Sequence, residues 1–259
     1  MIDAGAIAAA LAAAERDRRD RPPFSDDHPD LDEATAYEAQ WAGVRSKVDG
    51  GDPVVGAKLG LTSKVKQRVM KVDSPLYGWV TASMLLGHGE PVPLDRFIHP
   101  RVEPEVAFLL GRDVATPATV LSVLAATEAV FAAVDVLDSR YADFRFTLPD
   151  VIADNASAAG FLLGGRGVRP TEAGDLALIG CVLRVNGQVV DTATGAASMG
   201  HPAAAVAWLA NRLAARGQAL TAGMVVFSGG LTEPVPLTDG VVVTADFGGG
   251  LGTIEAHSR

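Results

Sequence analysis

The stretch HPRVEPEVAF, residues 99 to 108, places two glutamates two positions apart within an apolar run. In an extended chain, side chains two residues apart point to the same face, roughly 6.6 Å apart along the strand. Glu103 and Glu105 can therefore converge on one cation. An antiparallel strand with one solvated face shows the same alternation, and Pro104, which lacks an N–H, suits an edge strand. The spacing alone does not decide between solvent and cation.

Size and composition limit the classes of protein to which the chain can belong. Its 259 residues, 48% of them hydrophobic, suffice for one large globular unit or for a small and a large domain. The 31 acidic residues outnumber the 22 basic ones and give a net charge of −9, which disfavours nucleic acid as a partner. The single cysteine, Cys181, leaves no internal disulfide and fits a reducing cytoplasm, which we expect as the location.

The N-terminal stretch MIDAGAIAAALAAAERDRRDRPP predicts an alanine-rich helix over about the first 20 residues, which ends before RPP. It lacks the basic start of a targeting peptide. No run in the chain reaches the length of about 20 apolar residues that crosses a bilayer. We therefore expect no membrane-spanning segment.

The first third of the chain reads as a mixture of helices and one strand. A second helix is predicted where Asp30 and Glu33 form a possible capping box, and it ends at DGGD. PVVGAKLG predicts a strand, TSKVKQRVMKV a short helix, and the Pro/Gly-punctuated region 74–93 a mobile connection. We therefore expect a small N-terminal α/β domain over 1–80 and a larger domain over 81–259.

The larger domain is predicted to be mainly β with a few helices. TPATV predicts a helix over about residues 117–130 with a Thr cap and Pro at its first position, and AAVDVLDSR predicts a strand. The Asn-Gly pair of VLRVNGQVVDTAT predicts a hairpin. HPAAAVAWLANRLAARG predicts a helix that begins at His201. Glycine turns then alternate with strands to the end, so the expected fold class is α+β.

Several common chemistries do not fit the motifs. VFSGGL lacks the first glycine of a G-x-S-x-G nucleophile elbow, since Val226 stands there. FGGGLG and LLGGRG do not open a helix after a strand, as phosphate-binding loops do. The five histidines lack H-E-x-x-H spacing, and one cysteine cannot form a thiolate site, so zinc is disfavoured. Oxygen ligands indicate instead a hard cation such as Mg²⁺ or Mn²⁺.

A third oxygen ligand is expected on a neighbouring strand. Asp135 lies between Val134 and Val136, and an unpaired carboxylate is costly to bury in such a strand. Either its face is wet or a cation compensates its charge. Asp138, close to Arg140, is explained more simply by an ion pair at the end of the strand.

Four longer blocks carry a resemblance to a known family. KLGLTSKVKQRVMKVDSPLYG, HPRVEPEVAFLLGRD, DVLDSRYADFRFTLPDVIADNASAAGFLLGG and GHPAAAVAWLANRLAARG resemble the 2-keto-4-pentenoate hydratase and 4-oxalocrotonate decarboxylase family of the fumarylacetoacetate hydrolase superfamily. The resemblance runs from about Val54 to the C-terminus. It implies a small N-terminal α/β domain and a larger mixed β-roll of the fumarylacetoacetate hydrolase type.

The same resemblance implies Mg²⁺ or Mn²⁺ held by an E-x-E pair and a third acid. Glu103 and Glu105 match the pair, and Asp135 stands at the third position. Hydratases and many decarboxylases of the family have Glu there, one methylene longer. The third contact is therefore expected to be direct after a small backbone shift or to run through water.

The stretch DSPLYG distinguishes two branches of the family. Hydratases are expected to carry an acid at the position of Leu76, as in EPDFG, where it manages protons during the addition of water; leucine cannot transfer a proton. The resemblance therefore favours a decarboxylase, which implies loss of CO₂ from the small dicarboxylate 2-oxo-3-hexenedioate in meta-cleavage of aromatic compounds. A hydratase, a β-diketone hydrolase and a non-catalytic partner that stabilises a hydratase are the alternatives.

Four further residues are candidates for substrate contact. Lys58 either extends its ammonium to water or, as the resemblance favours, holds a substrate oxygen and donates a proton. Asn155 and Ser157, in ADNASAAG, either hydrogen-bond to substrate or bond to their own turn. Arg140 either binds a substrate carboxylate through its planar fork or pairs with Asp138.

The resemblance also implies partners. Hydratases and decarboxylases of the family are thought to associate, so a complex with a 2-keto-4-pentenoate hydratase is expected, as is a homo-oligomer. A binding role of this kind does not exclude catalysis. The acid pair and Lys58 argue against a purely structural protein.

Overall fold

Two β-sheets contribute much of the hydrophobic core of the protein. The structure is a computed structural model that describes residues 2–70 and 72–258. Helices pack around the two sheets, which confirms the predicted α+β class. The strands are β1 (Val54–Gly60), β2 (Leu76–Thr81), β3 (Arg101–Leu110), β4 (Thr127–Leu137), β5 (Ala158–Leu163), β6 (Gly180–Val185), β7 (Gln188–Thr194), β8 (Val225–Phe227), β9 (Val235–Pro236), β10 (Val242–Phe247) and β11 (Gly252–His257).

The larger sheet contains seven strands in the order β2-β1-β8-β3-β4-β5, with β9 paired to β3. Its pairs are antiparallel except for β1 with β8. β3 and β4 form its longest ladder, from Arg101 opposite Leu137 to Leu110 opposite Thr127. This ladder carries the candidate acids at its centre.

The smaller sheet contains four strands in the order β11-β10-β6-β7. β6 and β7 form the predicted hairpin, with Asn186 and Gly187 at its turn. Both residues have positive φ, 49° and 80°, as the two-residue turns that match strand twist require. The hairpin prediction is therefore confirmed.

The helices largely follow the apolar periodicity of the sequence. The predicted helix at His201 is confirmed: its ring Nδ1 accepts a hydrogen bond from the Ala203 N–H at 3.0 Å. No helix of the described residues is long and apolar enough to span a membrane. The helices are α1 (Ala4–Asp17), α2 (Glu33–Asp49), α3 (Lys64–Met70), α4 (Val120–Ala126), α5 (Leu148–Ala153), α6 (Pro170–Ala173) and α7 (Pro202–Ala214).

Two helix starts differ from their predictions. Asp32, rather than Asp30, caps α2 and accepts a backbone N–H of its first turn at 2.8 Å. Thr119 caps α4 in a reciprocal box with Ser122. The predicted helix over 117–130 is wrong in its second half, because the chain passes directly into β4. Pairing of β4 with β3 there overrides the local helical preference.

The prediction of a mobile connection over 74–93 is wrong for the first part of that segment. It contains β2, which is buried along its whole length because it pairs with β1 and packs on α2. Tyr77 stacks on Tyr37 at a centroid distance of 4.7 Å, and Trp79 contacts Trp41 at 5.5 Å. These aromatic contacts connect the second N-terminal helix (Glu33–Asp49) to the larger sheet.

The predicted domain boundary near residue 80 falls at the end of β2 (Leu76–Thr81). β1 lies before it and β8 after it, yet the two pair in one sheet. Backbone hydrogen bonds therefore link segments 1–80 and 81–259. The division of the chain into two domains stays a prediction.

Candidate functional site

Three carboxylates converge at the centre of the β3/β4 ladder. Glu103 and Glu105 lie two residues apart on β3, and Asp135 on β4 is the direct cross-strand partner of Glu103. Each acid offers an oxygen, and these oxygens lie within 4.8 Å of one another. All three side chains are buried. Carboxylate oxygens in this arrangement are the ligands that hard divalent cations prefer, so the predicted ligand set is brought together.

The electrostatics of the cluster fit a cation. No donor among the described residues hydrogen-bonds to Glu105 Oε1, whereas Oε2 accepts the Gly229 N–H at 2.6 Å. Burial, followed by the negative charges of Asp135 and Glu103, raises the pKa of Glu105 well above its ordinary value. Burial also raises the pKa of Asp135 to about 6, although Lys58 opposes the shift. A bound divalent ion would remove this unfavourable charge accumulation.

Two glycines of the SGGL turn lie against crowded neighbours beside the carboxylate cluster. Gly229 has a φ of +100°, and a Cβ there would lie 2.1 Å from Thr62 Oγ1. A Cβ at Gly230 would lie 2.1 Å from the carboxyl carbon of Glu103. The motif that fails as a nucleophile elbow therefore shapes the space of Glu103 and Glu105. Sequence patterns did not indicate this role, because it depends on β8 lying beside β3.

Lys58 lies on β1 at the edge of the carboxylate cluster. The residue is only 2% exposed, so its ammonium does not extend to bulk water. It forms an ion pair with Asp135 and donates a hydrogen bond to the carbonyl oxygen of Ala156 at 3.1 Å. Lys58 also lines the pocket described below. A positive charge thus lies next to the acids and borders the space for a substrate.

A pocket of about 300 Å³ opens beside the cluster. Its polar lining includes Lys58, Lys66, Arg101, Glu103 and Glu233. Three cations in one small lining suit an anionic ligand. The apolar part of the lining includes Leu61, Leu76, Leu137, Phe144, Phe146 and Val151.

A larger hollow lies elsewhere on the surface and is a poorer candidate. It measures about 480 Å³ and is bordered by Glu90, Asp95 and Asp239. Its lining contains three acids and no lysine or arginine, so it would repel a dicarboxylate. The cationic pocket beside the carboxylate cluster is therefore the better candidate for a substrate site.

Lys66 and Arg101 are pocket residues that the sequence motifs did not indicate. Lys66, on α3, pairs with Glu103 at 2.6 Å. Burial lowers the pKa of Lys66, but the attraction of Glu103, together with the charges of Glu233 and Glu105, outweighs burial and the net shift is upward. In sequence it resembles any exposed helical lysine. Arg101 did carry a signal, since it precedes Glu103 by two residues and shares its strand face.

Leu76, the residue expected to distinguish the two branches, lines the pocket. It is 2% exposed and pairs with Gly60 across the β1/β2 ladder. A Cβ at Gly60 would lie 2.9 Å from Leu76 Cδ1, so the glycine leaves room for the leucine. This wall of the pocket is apolar and supplies no proton donor.

The ADNASAAG turn positions its two candidate residues differently. Ser157 lines the pocket, and its Oγ donates to Asp154 Oδ2 at 3.2 Å. The Asn155 side chain is directed away from the pocket lining: its Oδ1 accepts the Trp79 N–H and its Nδ2 donates to the Trp79 carbonyl, both at 2.8 Å. Asn155 thus fastens the turn to β2, and the prediction that it hydrogen-bonds to substrate is not supported by this geometry.

The same turn is strained. Asn155, Ala156 and Ser157 have φ values of 51°, 57° and 54°, in the left-handed region, which costs roughly 1–2 kcal/mol per non-glycine residue. Glycine at Gly78 permits the close approach of the turn, since a Cβ there would lie 2.4 Å from the Asn155 carbonyl oxygen. The strained turn presents the Ala156 carbonyl to Lys58. Strain of this kind clusters at functional sites.

Arg140 lies in a buried network rather than in the pocket. Its guanidinium pairs with the carboxylate of Asp154 and donates to the backbone carbonyls of Asp138 and Ala158 at 2.7 and 3.1 Å. The expected ion pair with the Asp138 carboxylate is wrong, because that group accepts two backbone N–H groups that precede β3. The predicted contact of Arg140 with substrate is not supported either, since the guanidinium is 4% exposed and already paired.

Comparison with known proteins identifies the family. Residues 54–258 match the model described as fumarylacetoacetate (FAA) hydrolase C-terminal. The chain belongs to this family, and the match confirms the resemblance inferred from the sequence. The β-roll fold is confirmed by the same comparison together with the solved structure described next.

Named relatives include both branches. A 4-oxalocrotonate decarboxylase from Pseudomonas sp. (strain CF600) is 40% identical over 245 residues, which are 94% of this chain and 92% of that protein. A 2-keto-4-pentenoate hydratase from Burkholderia vietnamiensis (strain G4 / LMG 22486) is 38% identical over 253 residues, 96% of this chain and 95% of that protein. A solved structure, 4-oxalocrotonate decarboxylase from Pseudomonas putida G7 complexed with magnesium and adipate, has a TM-score of 0.94 and 36% identity and covers 99% of this chain and 97% of that chain.

Proposed function

We propose that this protein decarboxylates 2-oxo-3-hexenedioate (4-oxalocrotonate) to 2-hydroxypenta-2,4-dienoate and CO₂ in the meta-cleavage degradation of aromatic compounds. One observation carries the proposal: a buried carboxylate cluster adjoins a cationic pocket whose wall at Leu76 is apolar. The likeness to a decarboxylase of known structure supports it. Overall sequence identity is similar to a named decarboxylase (40%) and to a named hydratase (38%). The choice between the two activities therefore depends on the residues of the pocket.

Glu103, Glu105 and Asp135 would hold Mg²⁺ or Mn²⁺, which supplies Lewis-acid stabilisation of negative charge on a substrate oxygen. The relative from Pseudomonas putida G7 was solved with magnesium. The donor set, three buried carboxylates in which Glu105 Oε1 accepts no hydrogen bond and Asp135 Oδ2 only pairs with Lys58, fits such an ion. Whether Asp135 binds directly or through water stays a prediction.

Lys58 would stabilise the charge that develops in the reaction. When the C5–C6 bond breaks, its electron pair forms the C4–C5 double bond, the C3–C4 double bond moves to C2–C3, and negative charge collects on the C2 oxygen. The buried ammonium of Lys58 can attract that oxygen, and protonation of the oxygen completes the dienol product. The attraction grows as charge develops, so it lowers the barrier rather than only strengthening substrate binding.

The apolar wall of the pocket would act on the other end of the substrate. Leu76 and Val151 are buried, and Phe146 is half-buried beside them in the lining. A carboxylate held against such a surface loses hydration, whereas neutral CO₂ does not depend on it. Desolvation therefore favours departure of C6. Ser157 also lines the pocket, but its hydroxyl donates to Asp154 and would have to turn to donate to substrate. Its contact with substrate stays a prediction.

A hydratase is the second candidate, favoured by the 38% identity to a named hydratase. Hydration of the dienol requires a proton at C5 and an activated water at C4, for which a positioned acid or base contributes roughly 10²- to 10⁴-fold. Leu76 offers neither. Release of CO₂ from 2-oxo-3-hexenedioate, compared with consumption of 2-hydroxypenta-2,4-dienoate, tests the choice.

We extend the proposal to assembly and location. The product is an enol that can revert to its keto form in water, so direct transfer to a hydratase would preserve it, and we propose a complex with a 2-keto-4-pentenoate hydratase as well as a homo-oligomer. Light scattering after size-exclusion chromatography, with and without that hydratase, tests both. A cytoplasmic location fits Cys181, which is a buried free thiol.

A further inference from the structure

Arg101 is a pocket cation that the proposed reaction does not use. It lies on β3 two residues before Glu103, and both line the same pocket. The guanidinium carbon lies 4.0 Å from the ring centroid of Phe144, and the His99 ring contacts the same phenyl ring at 4.8 Å. A guanidinium stacked on an aromatic face keeps its N–H groups available in the plane of the fork.

The charge of Arg101 is not neutralised by the protein. The other two cations of the lining are lysines, and both are paired with carboxylates. Lys58 pairs with Asp135, and Lys66 pairs with Glu103. Within residues 2–70 and 72–258, by contrast, no carboxylate, including that of Glu233 in the same lining, forms an ion pair with Arg101. A half-buried guanidinium without a carboxylate partner, facing a pocket, is suited to an anionic ligand.

The spacing of Arg101 and the carboxylate cluster along β3 suits a short diacid. Backbone positions two apart on a strand are separated by about 6.6 Å along it. An extended six-carbon diacid places its carboxyl carbons roughly 6 Å apart, given carbon–carbon bonds of about 1.5 Å. Because Arg101 and Glu103 line the same pocket, a ligand with one end at the cluster can place its other carboxylate within reach of the Arg101 side chain.

We propose that Arg101 binds the distal carboxylate of a six-carbon 2-oxo diacid whose 2-oxo acid end lies at Glu103, Glu105 and Asp135. Arg101 thereby makes the site select diacids over monoacids. The inference rests on the proposed function for the orientation of the substrate. It assigns Arg101 to recognition of the diacid, a contact that opposes the effect of the apolar wall on the same carboxylate, whereas Lys58 acts on the opposite end of the molecule.

A specificity role has a kinetic signature different from that of Lys58. The guanidinium attracts the carboxylate of the bound substrate but not neutral CO₂, so its contact weakens as C6 departs. An interaction made in the ground state and lost toward the transition state does not accelerate the chemical step. Loss of Arg101 therefore raises KM for the diacid and leaves kcat unchanged or higher.

Two unreactive ligands test the proposal in the magnesium-loaded protein. 2-Oxoadipate and 2-oxohexanoate share the 2-oxo acid end and differ in the distal carboxylate, and neither has the C3–C4 double bond through which electrons would delocalise. Titration calorimetry is carried out on the wild type, Arg101→Gln and Arg45→Gln. Arg45 lies exposed on α2, outside the pocket, and controls for the loss of one positive charge.

The wild type and Arg45→Gln should bind 2-oxoadipate about tenfold more tightly than 2-oxohexanoate, as a charge-assisted pair at a half-buried site allows. Arg101→Gln should bind both ligands with the affinity that the wild type has for 2-oxohexanoate, at an unchanged unfolding temperature. A preference retained by Arg101→Gln, no preference in the wild type, or no binding of either ligand would overturn the proposal. An Arg101-dependent preference in a protein that releases no CO₂ would uphold the diacid site and reject the proposed reaction.

Discussion

Glu103 and Asp135 face each other directly across the antiparallel β3/β4 ladder. Directly opposed residues hold their Cβ atoms about 4.5–5.5 Å apart, and like charges in that position are destabilising. Glu105 adds a third carboxylate within 4.8 Å, in a buried setting that raises its pKa. The fold therefore concentrates negative charge that Lys58 and Lys66 offset only in part. A divalent cation would compensate it, in agreement with the relative solved with magnesium.

Removal of the metal should abolish turnover. EDTA treatment is expected to stop CO₂ release, and Mg²⁺ or Mn²⁺ should restore it. Glu103→Gln should weaken Mg²⁺ binding by at least about tenfold, since one charged ligand is lost, while the fold is kept because glutamine occupies the same space. Glu172→Gln, at an exposed position on α6, should behave as the wild type. Full activity in the stripped enzyme would show that the cluster is not a catalytic metal site.

The SGGL turn should be intolerant of a methyl group. A Cβ at Gly230 would fall 2.1 Å from the Glu103 carboxyl carbon, so Gly230→Ala should displace that carboxylate and weaken Mg²⁺ binding, measured by calorimetry. Gly43→Ala is the matched control. It lies within α2 with nothing within 4 Å of its Cβ position, and it should raise stability by about 0.5–1 kcal/mol. Equal Mg²⁺ affinity in Gly230→Ala and the wild type would contradict the packing argument.

Lys58 should affect the chemical step. Lys58→Ala is expected to lower kcat together with kcat/KM, because the lost charge acts on an oxygen that becomes negative in the transition state. Lys58→Met keeps the apolar stem and separates the effect of charge from that of the cavity. Lys47→Ala, at a partly exposed ion pair with Glu15, serves as control. A rise in KM alone would assign Lys58 to substrate binding.

Asn155 should affect stability before it affects substrate affinity. Its amide makes two hydrogen bonds to Trp79, and their removal in Asn155→Ala should lower the free energy of unfolding by about 1–3 kcal/mol, measured in urea. kcat should fall as well, because the turn presents the Ala156 carbonyl to Lys58. A raised KM at unchanged stability would instead support the original prediction that Asn155 contacts substrate.

Local patterns in the sequence predicted the parts of the site that depend on one strand. The spacing of Glu103 and Glu105 indicates a shared face without any knowledge of the fold. The partnership of Glu103 with Asp135 is a matter of register between two strands. The apolar setting of Asp135 made it a candidate third ligand, and the resemblance to the family placed it in the ligand set. Gly230 could not be assigned from sequence, since its role depends on contact with β3.

Arg140 shows why polar candidates near a predicted site are hard to rank. In sequence it stands two residues after Asp138, which suggests an ion pair. In the fold, Asp154 reaches it from the end of α5, and Asp138 is satisfied by backbone N–H groups. Burial of a guanidinium requires such complete pairing, and the choice among nearby carboxylates is made by tertiary packing.

Leu76 should disfavour proton transfer and favour loss of CO₂. Leu76→Asp is expected to slow decarboxylation, because a polar side chain in the wall admits water, which hydrates and so stabilises the substrate carboxylate relative to CO₂. Leu76→Met is the matched control, since it conserves apolar volume and should retain most of kcat. Faster CO₂ release in Leu76→Asp would contradict the assigned role of the apolar wall.

The most direct measurement gives the magnesium-loaded enzyme each of the two successive intermediates and identifies the products by NMR, with CO₂ measured in parallel. We predict stoichiometric CO₂ and 2-hydroxypenta-2,4-dienoate from 2-oxo-3-hexenedioate. We also predict negligible conversion of 2-hydroxypenta-2,4-dienoate to 4-hydroxy-2-oxopentanoate. Efficient hydration of the dienoate without CO₂ release from the diacid would contradict the decarboxylase proposal and establish the hydratase alternative.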